Sequence, residues 1–266
     1  MIKLLILFTF IFQFAKSEVY YVTFIKGSVK LQGAKMNLKV GDKLADNDQL
    51  IFADQLSKIS CISPVKGRFD ILGSNAKKKV QMEWVAVLKD VLLPASTKAR
   101  LSTRGALGEE TNDPLKIFKS PYFDNKILLI ENNLIFIDPN YVLDNKHFFF
   151  LQYEVRGKVI LKMVPSASGG ILFNSDLFID GNGNKLLSED IGIVGFCYQD
   201  AGESKELTKF IPVIISLSEL TKQVLLLRTN LSKKNKEEVN KEIYNHFINN
   251  YGFIQAGLLQ KILKGI

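Results

Sequence analysis

The sequence predicts a mainly β protein: a small N-terminal β-sandwich or barrel, a second antiparallel, Ig-like β-sandwich, and a helical C-terminal tail. Three observations carry that class. Short β-branched and aromatic runs recur between turn residues over 19–72 and again over 126–216. Between them the composition shifts to Pro, Gly, Ser and Thr. After residue 216 the apolar period changes from two to that of a helix.

Residues 1–17, MIKLLILFTFIFQFAKS, have Lys3, an apolar run from Leu4 to Ala15 and a small-x-small exit at Ala15-Lys16-Ser17. That is the layout of a secretory signal peptide. The run falls short of the roughly 20 residues a spanning helix needs, and an uncleaved anchor is the alternative. Either one places residues 18 onward outside the cytoplasm, in the periplasm or beyond the cell. No later segment is apolar for long enough to cross a membrane.

Residues 18–93 read as a β-domain with a closing helix. VYYVTFI, SVKLQ, KMNLKV, DQLIF, SKISCIS and GRFDIL each alternate or are β-rich. In LKVGDKLADNDQLIF the chain must reverse at Gly41-Asp42 and at Asp46-Asn47-Asp48, while Leu44, Leu50 and Phe52 keep the strand period. Gly and Asn tolerate positive φ and Asp bonds nearby backbone, so these five are turn residues and not a metal site. The order IKGSVKL, LKVGDKLADNDQLIF, SKISCIS, GRFDIL resembles the FecR-like β-domain, with its G-x-V strand and "L-x-x-GD-x-L-x-x-x-D-x-L" core, over residues 22–72. That resemblance implies a small β-domain of a kind found in bacterial envelope and secreted proteins. The regulatory role of the name-giving family is not carried over, because no membrane span or cytoplasmic head follows the signal sequence.

Val80, Trp84, Val87, Leu88 and Val91 then repeat at helical spacing up to Pro94, giving the closing helix with Trp84 as core. Residues 94–125 read as a linker or long surface loop, in which Arg100 and Arg104 are solvated cations open to an anionic partner. From 126 to 216 strands resume. Hairpins are expected at Asn132-Asn133 and Arg156-Gly157, and Pro212 predicts that the last strand is an edge or carries a bulge. Phe148 to Leu151 are four apolar residues in a row, which predicts a strand buried on both faces; an exposed face there would mark a partner site.

Residues 217–266 carry Leu220, Val224, Leu227 and Leu231 on one helix, and Val239, Ile243, Phe247 and Tyr251 on a second. Ser232 is the expected cap of the second and Gly252 its stop. AGLLQKILKG is a last amphipathic piece that docks on its own protein, a partner or a membrane surface.

Little in the chain suggests chemistry. Asp180, Asn182 and Asn184 occupy the first, third and fifth places of a calcium loop, but Lys185 stands in place of the Gly and Ile191 in place of the closing Glu. A hairpin turn explains the same residues. His147 and His246 have no Ser or Cys at a family spacing, and SASGG at 166–170 lacks the Gly-x-Ser-x-Gly elbow. Cys61 and Cys197 have no metal-type spacing; they can pair only with each other, and buried free thiols are the expected state.

The net charge of +8 is spread along the chain, which gives no nucleic-acid footprint. The expectation is a non-enzymatic binding or assembly module of the bacterial envelope, without cofactor, whose partner is another envelope protein. The alternatives are a sensor component acting through a separate membrane partner, and a hydrolase whose site is assembled from distant residues.

Overall fold

The computed structural model describes residues 18–45, 48–76, 111–119, 124–186 and 190–266. The expected signal sequence, the expected closing helix with Trp84, and Arg100, Arg104, Asp46 and Asn47 lie outside the described residues.

The N-terminal unit holds β1 (Val19–Lys26), β2 (Val29–Leu31), β3 (Lys43–Ala45), β4 (Leu50–Phe52), β5 (Lys58–Ser63) and β6 (Gly67–Leu72). Four of them form an antiparallel sheet in the order β3-β1-β5-β6, and β2 pairs with β4. Tyr20, Val22, Leu44, Ile59, Cys61, Phe69 and Ile71 face inward as one core, and a single helical turn, α1 (Gly73–Ala76), ends the unit.

KMNLKV is not the strand its pattern suggests. Only Asn37 bridges, to Lys30, and the strand forms instead at Lys43–Ala45. The turn decides this: Asp42 Oδ2 accepts from Lys39 N at 2.7 Å, and Gly41, at φ +98°, donates its N–H to Val22 O at 2.8 Å. Backbone bonding to β1 therefore begins at this turn, with Asp42 O accepting from Val22 N at 2.9 Å, and the strand ladder runs from Lys43. Farther on, Asp48 Oδ2 accepts from Ala45 N at 2.8 Å, the Asp-to-backbone bond expected of a turn residue.

A short helix, α2 (Pro114–Ile117), is capped by Asp113, whose side chain accepts from Leu115 N. Ile117 and Phe118 that follow are buried in the larger core, so this end of the expected surface loop is interior. The segment's polar composition hid two core residues.

The larger unit holds β7 (Lys126–Ile130), β8 (Leu134–Phe136), β9 (His147–Val155), β10 (Lys158–Met163), β11 (Ser166–Ala167), β12 (Gly170–Leu172), β13 (Val194–Asp200) and β14 (Glu203–Ile215). They form a five-stranded sheet, β10-β9-β13-β14-β7, and a three-stranded one, β11-β12-β8. All pairs are antiparallel except β14–β7. The hairpin at Arg156-Gly157 forms, both residues having positive φ (51° and 77°) as a two-residue primed turn requires.

The expected hairpin at Asn132-Asn133 does not form. Asn132 (φ 58°) turns the chain, but β7 pairs in parallel with β14 while β8 joins β12 in the other sheet. A parallel partner far along the chain leaves no local mark in sequence.

Pro212 fits its strand for a local reason. Ile211 N donates to Asn125 O on the β7 side, so the nitrogen of residue 212 points to the opposite side, where β13 has already ended at Val194↔Phe210. The strand is an edge at that point only, and its bulge lies elsewhere, between the Thr208 and Glu206 pairings.

Three helices complete the chain: α3 (Leu217–Asn230), α4 (Lys236–Tyr251) and α5 (Ala256–Gly265). Ser216 caps α3 by accepting from Glu219 N. The cap of α4 is Asn235, accepting from Glu238 N, and not Ser232; the chain around Ser232 is still in the turn after α3. Gly252, at φ +111°, ends α4 as its position suggests.

The helical core draws on both β-units. Leu220, Val224, Leu227, Ile243 and Phe247 pack with Ile62 of β5, with Leu128 and Ile130 of β7 and with Ile215 of β14. Leu259 and Leu263 put the apolar face of α5 into the same core, so that helix docks on its own protein. Among the described residues no helix is long and apolar enough to cross a membrane.

Candidate interaction surface

The five-stranded sheet is covered on both faces at β7, where Ile127 and Leu129 enter one core and Leu128 and Ile130 the other, but at its β10–β9 end it buries one face only. Along β9, Phe149, Leu151 and Tyr153 enter the core, while Phe148 and Phe150 sit half-buried on the opposite side. The run Phe148–Leu151 is thus not buried on both faces, as four consecutive apolar residues suggested. Its second face is the outer surface of the sheet.

Cross-strand register shows what else lies there. Residues directly opposite share a face, so Met163↔Phe150 and Phe150↔Cys197 make one row across β10, β9 and β13. Leu161↔Gln152↔Gly195 makes the next, and Val159↔Glu154 the one after. Val159, Leu161 and Met163 are 62%, 62% and 63% exposed. Phe148 and Phe150 stand 6.3 Å apart between ring centroids and extend this apolar stripe. Among the described residues β10 is also the end of its sheet, so there the stripe borders an open backbone edge. Lys158 and Lys162 alternate with the stripe along that edge, a pattern that discourages indiscriminate edge pairing.

The residues with partial calcium-loop spacing form a turn. Asp180 Oδ1 accepts from Asn182 N (2.8 Å) and Asn184 N (2.9 Å), and Oδ2 accepts from Asn184 Nδ2 (3.1 Å). These bonds, the one from the Asn184 side chain foremost, hold its carboxyl below the usual range. Asp180, Asn182 and Asn184 are brought together as a self-satisfied turn. Ile191, at the closing position, is buried in the core. Among the described residues no group of three or more His, Cys, Asp or Glu is placed to hold a metal ion.

Cys61 and Cys197 are both free and buried. Burial, with a smaller contribution from Asp70, pushes the Cys61 thiol far up, which makes it a poor nucleophile. SASGG is a tight hairpin between β11 and β12, with Ser168 and Gly169 at positive φ. His147 lies at the surface with Nδ1 2.8 Å from Asp144 Oδ1 and Nε2 3.4 Å from Asp200 Oδ1.

A cleft of about 410 Å³ runs between β8 and α5, with Leu134, Phe136, Leu258 and Ile262 as apolar walls and Asn133 and Gln255 among its polar groups. Its size is that of a small-molecule site. Sequence reading missed it because β8 was assigned to a hairpin with β7, which would have covered that edge. The outer stripe was half legible: the Phe148–Leu151 run marked the strand, but the exposure of Val159, Leu161 and Met163 depends on what packs over the sheet.

No family model, no curated protein and no solved structure matches this chain.

Proposed function

We infer that the protein is a non-enzymatic binding or assembly module of the bacterial cell envelope, exported by its N-terminal signal sequence, and that its outer sheet face is the surface by which it holds another envelope protein. The observation that carries this is the stripe of Val159, Leu161 and Met163, more than half exposed and flanked by Phe148 and Phe150, on a rigid sheet at an open strand edge. Contiguous apolar surface of this kind on a folded domain is the usual mark of a protein partner. An extended partner segment adding to β10 would gain backbone hydrogen bonds along the edge and apolar contacts with the stripe. The FecR-like pattern of residues 22–72 and the signal-peptide layout support an envelope setting.

The test uses the full chain, tagged and expressed in its native host, cross-linked and recovered for mass spectrometry. A stoichiometric partner whose cross-links map to Lys158 and Lys162, and which is lost in the Leu161→Glu, Met163→Lys double variant, is the expected result. The partner's identity then separates a scaffold from a sensor component. Recovery of the protein alone, or of a partner that the double variant still holds, overturns the assignment to this face.

A further inference from the structure

The face of β5 and β6 that meets the helices is polar in a specific order. Lys58, Ser60 and Ile62 lie on it, opposite Leu72, Asp70 and Arg68. Lys58 Nζ pairs with Asp70 Oδ2 at 2.7 Å and donates to Asn250 Oδ1 at 2.8 Å; Ser60 Oγ donates to Asp70 Oδ1 at 2.6 Å and lies 3.1 Å from the same Asn250 oxygen. With its oxygen so engaged, Asn250 turns its amide nitrogen to Nδ1 of the fully buried His246, 3.1 Å away. Nδ1 is therefore an acceptor, and the ring's proton sits on Nε2, which donates to Gln223 Oε1 at 2.9 Å. Gln223 Nε2 in turn donates to Tyr251 Oη at 2.5 Å and faces Glu219 Oε1 at 3.5 Å. The chain from Lys58 to Tyr251 runs in one direction and requires a neutral imidazole.

The surroundings oppose a second proton on that ring. Arg68, 7% exposed, has none of its three guanidinium nitrogens in a hydrogen bond among the described residues, so the seam already holds a poorly compensated cation. The charged groups facing His246 are Lys58 and Arg68 from the sheet, countered by Asp70, with Glu219 reached through Gln223 on α3 and Glu242 on its own helix balancing Arg68. Burial first, then Arg68 and Lys58, holds the imidazole well below its usual value.

The geometry points to a pH-operated latch: protonation of His246 opens the seam between strands β5–β6 and helix α4 while leaving the two β-cores folded. A proton on Nδ1 would set a donor against the Asn250 amide. Asn250 cannot turn over without giving up Lys58 and Ser60. The break falls at the seam because the network lies between the core of the N-terminal unit and the helical core, which β5 joins through Ile62 alone among its buried residues.

The sign follows from the depressed folded value. The seam's stability is full above the ordinary imidazole pKa of about 6.5 and is lost as pH falls below it, because the opened state takes up the proton first.

The experiment is amide hydrogen exchange on the full chain at about pH 7.5 and about pH 5.5, corrected for intrinsic exchange, since these bracket the free imidazole value. Protection of residues 58–72 and 243–251 is expected to fall by up to roughly tenfold on acidification, the ceiling for one imidazole over this interval, while β9 and β13 keep theirs. In Asn250→Asp a carboxylate replaces the opposing amide and accepts from the protonated ring, so the pH difference should vanish in a protein that still folds. Equal protection at both pH values in the native chain, or an undiminished pH difference in Asn250→Asp, overturns the latch.

Discussion

Phe118 stacks on Phe210, with ring centroids 5.1 Å apart and planes 28° apart, and also meets Phe196 at 4.5 Å and Phe173 at 5.4 Å. One residue from the polar segment before β7 thus plugs the aromatic core of the larger unit. Phe118→Ala is expected to cost about 3–5 kcal/mol, the range for emptying a buried aromatic site. A urea titration followed by circular dichroism should show a lower midpoint, and an unmoved midpoint would mean that the ring is not interior.

Gly252 and Gly157 separate two reasons for glycine. Both have positive φ, 111° and 77°, but a Cβ at 252 would lie 2.5 Å from Lys126 O, whereas one at 157 meets nothing within 4 Å. Gly157→Ala should cost only the conformational strain of about 1 kcal/mol. Gly252→Ala adds a backbone collision where Phe253 and β7 exchange hydrogen bonds (Phe253 N to Lys126 O at 2.8 Å, Leu128 N to Phe253 O at 2.7 Å), so its loss should clearly exceed that of Gly157→Ala. Melting curves of the two variants side by side decide it.

The outer stripe should be dispensable for folding. Leu161→Glu on an exposed strand face is expected to change stability by no more than about 0.5 kcal/mol while reducing the binding of an apolar dye. A cooperative loss of structure would show that the face packs against something within the chain.

Asp180 should behave as a turn clamp. Adding calcium to about millimolar levels, above the range of weak sites, should leave the melting temperature unmoved. Asp180→Ala should lower it. Because the folded carboxyl is held below its usual value, the clamp's contribution is complete above about pH 4 and fades as acid protonates it. The variant's stability should therefore fall less than that of the parent between pH 5 and 3, on the order of the carboxylate range; parallel falls in the two proteins would remove the clamp.

Much of the fold was legible from spacing alone. The period-two runs mark most strands, Arg156-Gly157 marks a hairpin because only a few residues accept its dihedrals, and Leu220, Val224 and Leu227 mark the buried side of α3. What sequence hid was relation at a distance. The parallel β14–β7 pair joins 211–215 to 126–130, and neither run says which neighbour it takes. Asn235 displaced Ser232 as a cap because several polar residues in a row were suitable and the tertiary position of α4 chose among them. At the candidate site, the Phe148–Leu151 run announced an apolar strand, but the bareness of its second face is a property of what does not cover it. His246 stood out in sequence only as lacking a Ser or Cys at a family spacing; its meaning lies in Lys58, Ser60 and Arg68, nearly two hundred residues earlier.

The packing of Ile62, Leu128 and Ile130 against the last three helices sets an order of assembly. Synthesis delivers the N-terminal unit before these helices, so the face carrying Ile62 and Arg68 stays bare until they arrive. The three helices are the keystone of the molecule: a nascent chain, or one trimmed by a protease after β14, has two finished β-units and no mortar between them.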